Sequence, residues 1–239
     1  MTRAPAEDRP FWLKLLLLAL AGAMICCFVM LGNWQMRRLD WKVALIERIE
    51  TRAFAAPQAP PSGNITEDQH SYLRLQLEGT FLHEKTLLVK AVTDLGLGFW
   101  VMTPLVSDPL TVWVNRGFVP SKLKSFPDQW KQPLGRQRVV GLLRVSVPDG
   151  TLLETNNPSK NLWYSRDVPA MSQAVQLPDA AAYFIDQENN SGLNEAVKAW
   201  PRAGLTVVKF RNPHLSYALT WYAMALLFFG ALVYVVRRR

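Results

Sequence analysis

The chain has 239 residues, with 27 basic and 19 acidic side chains and a net charge of +8. Residues 37 to 213 hold 21 of the basic and 17 of the acidic residues, interspersed, and the remaining excess sits in the tails. This excludes the clustered basic footprint of a nucleic-acid-binding protein. The length accommodates two membrane spans and one domain with its own core.

In chain order, a short tail over 1–12 leads into a first span over 13–36. Leu15 to Met36 contains no charged residue, and its 22 residues exceed the roughly 20 that a helix needs to cross the hydrocarbon core. Ala21-Gly22-Ala23 has the small-residue character of a signal-peptidase site. However, Met24 to Leu31 continue the apolar run, so cleavage there leaves a greasy new end, and an uncleaved anchor fits better. Cys26 and Cys27, the only cysteines, lie inside this span. The domain beyond it therefore has no disulfide, and the pair reads as two small packing residues.

After the span, Trp41, Leu45 and Ile49 recur every four residues, predicting an amphipathic helix over 40–54. A proline-rich loop follows, Ala55 to Gly63. From Tyr72 the apolar period changes to two, with Leu73, Leu75 and Leu77 alternating with Arg74, Gln76 and Glu78. Further strands are predicted at Thr86–Val92, Phe99–Pro104, Leu110–Arg116, Val139–Val147, Tyr183–Asp186 and Leu205–Phe210. Short helices are predicted at Pro169–Val175 and Leu193–Ala199. Gly117 and the Gly96/Gly98 pair read as breakers, and Asn115-Arg116-Gly117 as a turn with an exposed or paired arginine. The single carboxylates Asp167 and Asp186 read as solvated surface groups. The expected domain over 37–212 is mainly antiparallel β, barrel- or sandwich-like and of α+β class.

A second uncharged run, Leu215 to Val236, closes the chain in a span over 213–236, followed by Arg237, Arg238 and Arg239. Those arginines, with Arg3, Arg9 and Lys14 ahead of the first span, put both tails in the cytoplasm by the positive-inside rule. Arg37, Arg38 and Lys42 argue the other way, but they lead a long domain, and long domains translocate largely regardless of charge. The fold expected is thus two transmembrane α-helices bracketing an extracytoplasmic β domain.

Catalytic signatures are missing: the sequence has no nucleophile elbow, no zinc-protease helix, no P-loop and no dinucleotide fingerprint. His70 and His83 stand beside acidic residues and read as solvated loop histidines. His214 differs. Asn212 suits an N-cap and Pro213 a first helical turn, which puts His214 at the mouth of the second span. Tyr217 and Trp221 follow on the same helix face, and Trp34 and Gln35 lie at similar depth on the first span. One account is an interfacial aromatic belt. The other is a ligand site, since a helix N-terminus disfavours imidazolium and neutral imidazole is the form that binds iron.

Leu31-Gly32-Asn33-Trp34-Gln35-Met36-Arg37-Arg38 with Lys42 resembles the first-span exit of the surfeit locus protein one (Shy) family, assembly factors for cytochrome c oxidase. The resemblance continues through Tyr72…Gly79-Thr80-Phe81, Gly98-Phe99-Trp100-Val101-Met102-Thr103-Pro104-Leu105 and Val112-Trp113-Val114-Asn115-Arg116-Gly117-Phe118-Val119-Pro120. It then takes in Asn156-Asn157-Pro158…Trp163…Asp167 and ends at Asn212-Pro213-His214-Leu215-Ser216-Tyr217-Ala218-Leu219-Thr220-Trp221-Tyr222. Pro213 and Phe118 depart from the family pattern, which commonly has Asn and Trp there.

The resemblance implies no enzymatic activity. It implies a chaperone-like role in maturing subunit I of an aa3-type oxidase, with heme a as the cofactor handled and heme a synthase as a further candidate partner. It implicates His214 in heme binding; with His214 as the axial ligand of the heme iron, Trp34, Gln35, Tyr217 and Trp221, at the same membrane edge, are expected to shape the pocket. The short N-tail suggests a bacterial inner-membrane member with its domain in the periplasm. A cofactor-free, membrane-anchored scaffold that recognises a partner protein is the competing expectation.

Overall fold

The computed structural model describes residues 10–130, 132–151, 154–189, 200–206 and 210–237. The chain divides into a helical unit, residues up to 48 and from 209, and a β unit, residues 49–208.

Two helices make the helical unit. Helix α1 runs unbroken over Phe11–Ala53, so the span and the amphipathic stretch expected after it form one helix of 43 residues. At about 1.5 Å per residue that is roughly 65 Å, twice the hydrocarbon thickness. Its last turn, from Ile49, belongs to the β unit, where Ile49 and Ala53 are buried. The second helix of the pair, α4, spans His214–Arg237. Both are long and apolar enough to cross a membrane, and only 6% of each apolar window is buried within the protein. A solvent-exposed apolar surface of that extent calls for lipid, so the chain is membrane-anchored.

Small residues let the two helices approach. Ala218 and Ala225, seven apart on α4, are buried, and Gly32 on α1 lies under the Tyr222 ring. A Cβ at Gly32 would come 2.5 Å from that ring, so only glycine fits without moving it. Phe28 stacks on Trp221 with centroids 5.8 Å apart and meets Phe228 edge-on at 5.3 Å.

The β unit holds one six-stranded sheet built from β1 (Arg74–Phe81), β2 (Leu87–Thr93), β3 (Gly96–Ser107), β4 (Leu110–Pro120), β5 (Arg136–Val145) and β6 (Tyr183–Gln187). The strand order is β1-β5-β6-β4-β3-β2, antiparallel except for the β4–β6 pair, and β1 also pairs β3 through Thr80–Val106 and Phe81–Leu105. Short helices α2 (Glu67–His70) and α3 (Val168–Ala174) accompany it. Six of the seven expected strands and the helix near 169–175 are present. Of the seventh, Leu205 and Thr206 are not in a strand, and residues 207–209 lie outside the described residues, as does the helix expected at 193–199.

One face of the sheet packs Leu75, Leu77, Val114, Val139, Leu143 and Ile185 into a core. The other face buries Trp113, Phe184 and Met102 under Trp163, Val168 and Met171. Asp167 caps α3 by accepting from the Ala170 amide, so it is not merely a solvated carboxylate.

Gly117 is a correction. It does not end a strand but sits within β4, at a bulge where the register moves from Trp100–Phe118 to Met102–Asn115. Its φ of +124° suits glycine, and a Cβ would lie 2.3 Å from the Arg202 carbonyl. The bulge lets residues 200–206 run alongside, with Phe118 and Arg202 exchanging backbone hydrogen bonds of 2.9 Å in both directions. Gly96 and Gly98, likewise expected before a strand, are part of β3.

Candidate functional site

The helix pair brings Gln35 and His214 together. His214 is the first residue of α4, and the Pro213 carbonyl accepts the first helical hydrogen bond, from the Tyr217 amide at 3.2 Å. Pro213 therefore stands at the cap, where its missing N–H loses nothing. Asn212 does not cap the helix as expected: its side-chain oxygen is buried and has no partner among the described residues. His214 Nδ1 lies 2.8 Å from Gln35 Oε1. With the amide so oriented, the carbonyl can only accept, so the proton sits on Nδ1 and the lone pair of the neutral ring is on Nε2. Metal-binding histidines are held in this way, by a carbonyl on the other ring nitrogen.

The remaining expected site residues are placed differently. Trp221 packs in the helix seam against Phe28, two turns beyond His214. Trp34 and Tyr217 are 47% and 55% exposed, and no hydrogen bond or ring contact among the described residues joins either to His214. Sequence reasoning missed the second polar clasp, Tyr222 Oη donating to Asn33 Oδ1 at 2.7 Å. Together with Gly32 it sets the register that brings Gln35 opposite His214. Asn33 and Tyr222 stand in the two quoted motifs, but no spacing rule pairs residues 189 positions apart.

A buried polar cluster in the β unit overturns a further expectation. Asp186 is only 4% exposed, not a surface carboxylate. It accepts from Asn115 Nδ2 at 2.8 Å and Thr206 Oγ1 at 3.0 Å, and faces Arg166 at 3.4 Å and Arg144 at 3.5 Å. Burial lowers the Arg166 pKa from its ordinary value, against the attraction of Asp186, and the nearby Arg144 charge lowers it further.

Arg116, expected in an exposed or paired turn, is buried within β4, over the Phe81 ring at 5.1 Å. Burial brings its pKa down to about 10. It approaches His83 Nδ1 at 3.4 Å, while His83 Nε2 faces the Pro133 carbonyl at 3.0 Å, so His83 is half-buried and held, not solvated. His70 is also half-buried, with the Thr66 amide donating to Nδ1 at 3.1 Å. No group of three or more His, Cys, Asp or Glu among the described residues is arranged to hold a metal ion.

The model of the SURF1 family matches residues 22–226, which take in most of α1, the first half of α4 and the whole β unit. The chain belongs to the SURF1 family. It is 34% identical to surfeit locus protein 1 of Rattus norvegicus over 92% of this chain and 74% of the rat protein. The human protein of the same name is 32% identical over 92% of this chain and 76% of its own length. A SURF1-like protein of Monosiga brevicollis is 30% identical over 87% and 83%. SURF1 proteins are cytochrome c oxidase assembly factors and not a known enzyme class, and membership supports a role in oxidase assembly for this chain. The match spans Gln35, His214, Asn33 and Tyr222, so both polar contacts between the helices lie inside the family region.

Proposed function

We propose that this SURF1 member binds heme a at the end of its helix pair and assists heme insertion into subunit I of an aa3-type oxidase. The observation that carries the proposal is the 2.8 Å contact between His214 Nδ1 and Gln35 Oε1. It leaves Nε2 as a lone-pair donor in a ring of fixed tautomer and orientation, which is the donor an iron porphyrin requires. Heme a, when bound, would supply an iron that takes such a nitrogen. His214 is the proposed ligand, Gln35 holds its ring, and the exposed faces of Trp34 and Tyr217 offer apolar surface to a macrocycle lying half in lipid. Trp221 supports the seam through Phe28.

The tail charges support placing both ends in the cytoplasm and the β unit in the periplasm of a bacterial inner membrane. There the β unit would act as the chaperone's docking part, toward subunit I or heme a synthase.

A cofactor-free scaffold is the second reading, favoured by the exposure of Trp34 and Tyr217, which also suits an interfacial aromatic belt. Visible spectra of protein purified from cells making heme a separate the two. Wild type is expected to carry a Soret band, His214→Ala to lose it, Gln35→Leu to weaken it and Gln35→Glu to restore it. A wild type without heme, or a His214→Ala variant loaded equally, defeats the heme assignment and leaves the scaffold.

A further inference from the structure

Away from the helix pair, we propose that the β unit binds a single oxyanion, a phosphate or carboxylate group, between Arg144 and Arg166 beside Asp186. Among the described residues two guanidiniums share this one carboxylate, leaving one positive charge over, and the arginine side chains are only 24% and 22% exposed. A largely desolvated surplus charge is costly unless something neutralises it.

The hydrogen-bond inventory points the same way. Each guanidinium has five N–H donors in a fixed fork. Among the described residues Arg144 makes one polar contact, at 3.5 Å, and Arg166 one, at 3.4 Å. Asn115 and Thr206 hold the two Asp186 oxygens at 2.8 and 3.0 Å, and both arginines stand further off. Both guanidiniums lie over aromatic rings, Arg144 over Tyr72 at 4.6 Å and Arg166 over Phe184 at 4.8 Å. The rings cover part of each guanidinium without using its N–H donors, which a carboxylate or phosphate can take.

There is also room. A cleft of about 300 Å³ is lined by Asp186, Thr206, Leu142, Arg74 and Glu188, among others. The two arginines reach it through Asp186, which lines the cleft and faces both, and Leu142, another lining residue, shares a face of β5 with Arg144 two residues on. Arg74 is not a candidate, because Glu188 holds it through two short bonds of 2.9 and 2.8 Å.

Phenylglyoxal modification of the full chain in dodecyl maltoside, mapped by mass spectrometry, tests the site. Inorganic phosphate at 10 mM, against chloride at equal ionic strength, is expected to slow modification of Arg144 and Arg166 at least threefold while exposed Arg136 is unaffected. The Arg144→Leu variant is expected to lose the protection at Arg166. Nanodiscs of phosphatidylglycerol and of phosphatidylcholine, without added phosphate, identify the source: protection only in the former makes a lipid headgroup the natural oxyanion. Unchanged modification at Arg144 and Arg166 under every condition, or equal slowing at Arg136, overturns the proposal.

Discussion

Replacing Asp186 by Asn removes one negative charge at nearly constant shape and leaves Arg144 and Arg166 facing each other. Breaking a buried ion pair on one side costs about 3–5 kcal/mol. Here both arginines keep roughly a quarter of their exposure, so the lower part of the range applies, about 2–4 kcal/mol after screening. The neutral hydrogen bonds contribute little to the difference, since an amide oxygen still accepts from Asn115 and the Thr206 hydroxyl can turn to accept. Urea unfolding of the full chain in dodecyl maltoside, followed by tryptophan fluorescence, reports the β unit through the fully buried Trp113 and Trp163. In an Arg144→Leu background the same substitution should cost less by about 1–2 kcal/mol, because one of the stranded cations is gone. A loss within about 0.5 kcal/mol of wild type, the usual range of a surface substitution, or an identical loss in both backgrounds, would refute the account of Asp186 as the shared counter-charge.

Three further outcomes follow from the geometry. Gly32→Leu drives a side chain into the Tyr222 ring and should abolish heme retention while leaving the urea midpoint of the β unit unchanged; a loaded variant would show that the helix register does not matter. Gly117→Ala combines a positive-φ strain with a clash against the Arg202 carbonyl and should destabilise the β unit by about 2–4 kcal/mol in the same urea assay. Tyr183 has a buried hydroxyl without a partner among the described residues, and burial pushes its pKa up to about 12 from 10. The unfolded chain then releases this proton first, so stability falls as pH rises from 10 toward 12. Tyr183→Phe should flatten that alkaline limb in a pH series of thermal melts and add about 1 kcal/mol at neutral pH.

Much of this protein is written in local periodicity. The uncharged runs Leu15–Met36 and Leu215–Val236 imply membrane helices from length and polarity alone. The alternation from Leu73 to Leu77 implies a strand with one wet face, and β1 buries alternate residues accordingly. His214 was legible as a helix-mouth residue, and Gln35 as its neighbour in depth. Beyond that, tertiary structure decides. Trp34 and Gln35 are adjacent in sequence but about 100° apart around α1, and only the pairing of α1 with α4 selects Gln35 as the partner of His214.

Asp186 looked solvated because nothing near it in sequence carries a compensating charge. Its partners come from Asn115, Arg144, Arg166 and Thr206, gathered by neighbouring strands and by the segments after β5 and β6. Gly117 looked like a strand end because the stretch that needs its missing side chain, at Arg202, arrives 85 residues later. Polarity and period are properties of a segment and its immediate neighbours. The partner of a buried charge, or the backbone pressed against a glycine, depends on which distant segments the fold brings into contact.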